Sequence, residues 1–170
     1  FPIASGYAAN IFNGDVVKLI NDGTIEKDTG TATATPVGVF VGCSYTSPAL
    51  GYTLFSQYYP TGTVASDIVA YVIDDPDALF KVAVTAAGTA NIATVARTAV
   101  GNNSVLIQTA GSTATGDSKI SISSTTATTN TQPIRIIDVV PETATGADAF
   151  VEVIVKWNFG MHQYQNATGV

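Results

Sequence analysis

The chain has 170 residues, a formal net charge of −6, one His, one Cys and only 12% charged residues against 46% hydrophobic ones. That length supports one full domain, or two small ones sharing an interface, with a core that needs no metal or disulfide staple. The composition excludes disorder, and the acidic balance excludes the basic stripe that neutralises nucleic-acid phosphates. Titratable groups are too sparse for a site of mutually perturbed residues, so the expectation is a non-enzymatic protein with no catalytic residues, no cofactor and no metal.

From the N-terminus, residues 1–14 carry Phe1, Ile3, Tyr7, Ile11 and Phe12 without alternation. They read as an extended arm whose apolar side chains pack on a neighbour or a neighbouring subunit. Period-2 patterning then takes over. Val16 to Ile20 and Ile25 to Lys27 form a hairpin about Asn21-Asp22-Gly23, whose residues tolerate positive φ. The Thr/Ala run Thr29 to Thr35 reads as a solvated loop closed by Pro36. Val37, Val39, Val41, Cys43 and Tyr45 then share one strand face, opposite Gly38 and Gly42. Cys43 is alone, so no disulfide forms within the chain, and without a basic neighbour it reads as a small buried hydrophobe.

Further strands are expected at Tyr52 to Tyr58, Ile68 to Ile73, Leu79 to Thr85, Ser104 to Thr109, Lys119 to Ser123 and Ile134 to Val140. The last runs Val151, Val153, Val155, Trp157 and Phe159 on one face, against Phe150, Glu152, Ile154, Lys156 and Asn158 on the other. One short helix is expected after Thr89 or Asn91, with Ile92, Val95 and Ala96 on one side. Ala110 to Gln132 is biased toward Thr, Ser, Ala and Gly and reads as solvated loop or exposed edge strand. About ten short strands with at most one short helix predict an all-β fold, a sandwich or barrel-like body. Residues 1–60 are expected to form the arm and a small β-subdomain, and residues 61–170 a larger β-subdomain with an aromatic tail. The boundary is placed at Pro60-Thr61-Gly62-Thr63, with a single continuous domain as the alternative.

Three local patterns invite chemistry. Asp74, Asp75 and Asp77 supply the oxygen density a hard cation wants, but no twelve-residue calcium loop surrounds them, and Pro76 fits an ordinary turn. Gly111 to Lys119 superficially matches a phosphate loop, yet Asp117 stands where the lysine belongs and would repel phosphate. His162 lies in a polar tail, in a chain without a Gly-x-Ser-x-Gly elbow, and reads as an interface or surface residue. No run of about 20 apolar residues is present, so no transmembrane helix is expected. The candidate interface residues are the arm's Phe1, Ile3, Tyr7, Ile11 and Phe12, with Tyr58, Tyr59, Trp157, Phe159, Met161, His162 and Tyr164. Aromatics bury much area with few rotatable bonds. For Trp157 an ordinary β-core is the competing reading.

The blocks Pro2-Ile3-Ala4-Ser5-Gly6-Tyr7, Asn13-Gly14-Asp15-Val16-Val17-Lys18-Leu19, Pro36-Val37-Gly38-Val39-Phe40-Val41-Gly42-Cys43, Phe55-Ser56-Gln57-Tyr58-Tyr59-Pro60 and Ile73-Asp74-Asp75-Pro76-Asp77-Ala78-Leu79-Phe80 resemble structural proteins of tailed bacteriophages. The Gly-Asp-Val-Val hairpin followed by Val-Gly-Val-Phe resembles the β-rich opening of phage head decoration (cement) proteins. The resemblance implies a homotrimer on the outer surface of a virion capsid that binds the major capsid protein and locks neighbouring subunits together, with no catalytic residues. A head-fibre or tail-associated receptor- or glycan-binding module is the alternative, with Tyr58, Tyr59 and Trp157 stacking on sugars. On the decoration reading, removing Phe1 to Gly14 is expected to weaken capsid binding without unfolding the body.

Overall fold

The computed structural model describes residues 1–170. It is all-β: thirteen strands and three 3-10 turns, with no α-helix. No helix is long and apolar enough to cross a membrane.

The first sheet holds β1 (Val16–Leu19), β2 (Ile25–Lys27), β3 (Gly38–Thr46), β4 (Thr53–Ser56) and β5 (Val69–Ile73). β1 and β2 form the hairpin read from Asn21-Asp22-Gly23, with the Asp22 carboxylate accepting from the Thr24 backbone N–H at 2.9 Å. β3 pairs with β1 and β4 along one edge and with β5 along the other. The arm closes this sheet on itself. Pro2 bridges β5 at Val69, and Ile3 bridges β2 at Ile25. The Pro2 carbonyl accepts from the Ile25 N–H at 2.9 Å, and the Phe1 carbonyl accepts from the Ala70 N–H at 2.7 Å. The result is a small barrel whose last stave is the N-terminus. Ile3, Ile11, Val17, Ile25, Phe40, Cys43, Tyr59 and Ala70 fill it.

The second sheet runs β7 (Asn103–Ser104), β10 (Ile134–Val139), β13 (Glu152–Trp157), β6 (Phe80–Thr85), β9 (Ser121–Ser123) and β8 (Leu106–Ile107) in that spatial order. The β6–β9 pair is parallel and the others antiparallel. A ribbon of β11 (Ala144–Gly146) and β12 (Ala149–Phe150) lies beside it. The apolar face of this sheet (Val84, Ile122, Ile134, Ile136, Val153, Val155, Trp157) packs against Val16 and Val39 on the outer wall of the barrel. The pleat supplies this double use, since adjacent residues Val16 and Val17 point to opposite faces.

Several expectations are corrected. β5 belongs to the barrel, so the chain passes between sheets at Asp74 to Leu79 and not at Pro60 to Thr63. The expected helix is absent: Ile92 bridges Thr85 and Val95 bridges Phe150, leaving only a 3-10 turn at Arg97–Ala99. β-branched side chains resist helix and pair well as extended chain. Ser121–Ser123, within the Thr/Ser-rich run, is fully buried between β6 and β8. It is tolerated there because the Ser121 and Thr85 hydroxyls bond each other at 2.7 Å. The single face expected for Val37 to Tyr45 is broken by a bulge between Phe40 and Gly42. The extra residue shifts the phase, so Phe40 and Cys43 are both buried while Val41 is exposed.

Candidate functional site

The proposed arm is not free. Ile3, Ile11 and Phe12 are buried, and Phe1 and Tyr7 are half-buried. Their partners are the other expected interface aromatics. Phe12 stacks on Tyr58 with ring centroids 5.5 Å apart, and Tyr7 meets Tyr59 at 6.0 Å. The Tyr59 hydroxyl donates at 3.3 Å to the carbonyls of Tyr7 and Thr63 as alternative acceptors. Within this chain, these side chains are covered by its own body. Buried Asp15 secures the junction. Its carboxylate accepts from the Phe12 N–H at 2.9 Å, Lys27 Nζ at 2.8 Å and Ser118 Oγ at 2.6 Å, tying arm, hairpin and second half together.

The C-terminal tail docks in the same way. Gln163 offers its side-chain amide as a strand would, accepting from Leu19 N–H at 2.7 Å and donating to the Leu19 carbonyl at 3.0 Å. Trp157 is buried against Phe80, at 5.7 Å between centroids, and near His162, at 6.3 Å. His162 is fully buried rather than on the surface, because its Nδ1 accepts the Tyr164 N–H at 3.2 Å and so caps the last 3-10 turn. Burial pulls the imidazole below its ordinary pKa, against the opposing pull of the Val37 carbonyl and the Asp74 and Asp75 carboxylates. Met161 is half-buried. Of the twelve residues expected at an interface, only Phe159 and Tyr164 are exposed, and Tyr164 is tethered to Asp74 at 3.2 Å.

The remaining candidates also have internal partners. Asp75 accepts from the Asp77 N–H within its own turn, Asp77 pairs with Lys156 at 2.7 Å, and Asp74 meets Tyr164, so the three carboxylates do not converge. The Cys43 thiol is buried, contacts the Tyr58 carbonyl at 3.6 Å and is pushed up to about 11 by desolvation.

A different surface stands open. On the outside of the barrel, Phe55, Ser44 and Val69 lie in one row across β4, β3 and β5, followed by Gly42 with Tyr71 and then by Ile73, whose partner Val39 is covered by the second sheet. Phe55 is 79% exposed, and Val69, Tyr71 and Ile73 are each more than 40% exposed. The Tyr71 hydroxyl bonds Ser44 Oγ at 3.0 Å, which fixes the ring on the sheet. β5 is apolar at all five positions, Val69-Ala70-Tyr71-Val72-Ile73. A strand apolar on both faces is a signal for cover on both faces, and here only one is covered by the chain itself.

Comparison of the chain with protein families, with curated proteins and with solved structures gives no match in any of the three.

Proposed function

We propose that this protein is a non-enzymatic virion structural protein of the capsid-decoration class, working as a homotrimer on the outer surface of a phage head, where it contacts the major capsid protein. The observation that carries the reading is the open apolar face of Phe55, Val69, Tyr71 and Ile73, which the strand register brings together on the barrel. Contiguous exposed apolar surface of this kind marks association sites, and a face built on paired strands is presented without an ordering cost. A rigid β-body with a shielded thiol and internally paired carboxylates suits a clamp that must persist on a particle exterior. The glycan-binding alternative has less support, since Tyr59 and Trp157 are buried and Tyr58 is stacked on Phe12.

Light scattering on the purified chain tests the reading. A trimer that the double substitution Phe55→Ser, Tyr71→Ser converts to a folded monomer supports it. A wild-type chain that remains monomeric at high concentration, and whose solution behaviour the double substitution leaves unchanged, removes its main support.

A further inference from the structure

A cleft of about 280 Å³ lies between the barrel and the second sheet. One wall is Val16 and Val39 on the barrel, and the other includes Val82, Leu106, Ile122 and Trp157. Eleven of its fifteen lining residues are hydrophobic. The polar side chains at its rim are already engaged: Asn13 donates to the Val41 carbonyl at 3.1 Å, Ser118 to Asp15 at 2.6 Å, and Lys81 pairs with Glu152 at 2.9 Å. Trp157, 2% exposed, forms part of the apolar wall.

The cleft is half-open to solvent, and an occupant would take its apolar walls out of water. Water is a poor one, because it needs two or more polar partners and the engaged rim leaves it few. A charged ligand is a poor one for the same reason, since a buried charge without a counter-charge is costly. A cavity of about 150 Å³ admits benzene, so a cleft of about 280 Å³ has room for a bicyclic or cage-like molecule of about ten carbons. We propose that the cleft between the barrel and the second sheet is a binding site for a compact, uncharged apolar molecule. This site adjoins the open face of β3–β5 at Val39 but uses none of its exposed side chains, and its occupancy does not depend on whether the protein decorates a capsid.

Trp157 is the only tryptophan, so its emission reports the cleft directly. The full chain is titrated with 1-adamantanol and, separately, with 1-adamantanecarboxylate, following Trp157 emission and the NMR shifts of the Ile122 and Leu106 methyls. The proposal expects saturable shifts at those methyls with the alcohol and at least tenfold weaker binding of the carboxylate. It also expects at least tenfold loss of alcohol binding in Val39→Phe and in Val82→Phe, each checked for folding by near-UV circular dichroism. Absence of saturable methyl shifts, equal affinity for the charged probe, or undiminished binding in both folded variants overturns it. Should neither variant fold, the contrast between the two probes on the wild-type chain decides.

Discussion

His162 shows how one side chain can carry chemistry without being a site. Its Nδ1 accepts the Tyr164 N–H, so the neutral ring carries its proton on Nε2, and protonation turns the acceptor into a donor facing a donor. Its pKa is lowered in the fold by burial, and the unfolded chain's His titrates near 6.5. Between those values the unfolded state binds more protons, so stability is full above about pH 6.5 and falls as pH drops through the window toward the folded pKa. We expect Tm to fall on acidification from pH 7.5 to 5.5, and to fall less in His162→Asn, whose amide oxygen keeps the cap. Equal pH slopes in the two proteins would reject this role. Cys43 makes the complementary case. With its thiol raised to about 11 by burial, it should react with a thiol-specific disulfide reagent only at the rate of opening. Labelling in native buffer is therefore expected to be slower by several orders of magnitude than in urea.

Among the elements, β3 does the most. It borders β1, β4 and β5, and its bulge lets it fill the barrel with Phe40 and Cys43 while Val39 faces the second sheet. Two glycines make that possible. At Gly38 an added Cβ would collide with the Ile73 carbonyl oxygen, and at Gly42, with φ of +148°, it would lie 3.0 Å from the Ser56 oxygen. Gly38→Ala must therefore push β3 from β5 and is expected to cost about 1–3 kcal/mol, the usual range for overpacking. The check is a lower urea midpoint at unchanged slope. The arm is the other decisive element. Its backbone bonds both β2 and β5, so it belongs to the barrel as a stave.

At the scale of the whole molecule, that closure reverses an expectation. Removing residues 1–14 takes Ile3, Ile11 and Phe12 out of the core and uncovers two strand edges. Each fully buried side chain of this size is worth about 1.5–3 kcal/mol. Three of them approach the total stability of an ordinary domain, about 5–15 kcal/mol. The truncated chain is thus expected to lose its cooperative thermal transition, measured by calorimetry, instead of remaining folded with weakened docking. The barrel and the second sheet also stand or fall together, since Asp15, Gln163 and the Gln108 amide, which donates to the Asp28 and Gly30 carbonyls, all span them. The face carrying Phe55 and Tyr71 is left uncovered, and the homotrimer proposal rests there.

The all-β class was legible in the sequence because strand patterning and turn chemistry are local. Val16 to Leu19 against Ile25 to Lys27 about Asn21-Asp22-Gly23, and the inward run Val153, Val155, Trp157, follow from alternation and from what Gly and Asn permit. β11 and β12 escaped notice because a ribbon of two or three residues carries too little pattern. The apolar character of residues 1–14 and of Trp157 and His162 was equally visible, but composition states only that a residue seeks cover and not which surface provides it. Whether that cover is another subunit or the chain's own barrel depends on contacts between Ile3 and Ile25, or His162 and Trp157, far apart in sequence. The same holds for the open face. Val69 to Ile73 shows two apolar sides, and only the tertiary arrangement decides that the core takes Ala70 and Val72 while Val69, Tyr71 and Ile73 are left outside.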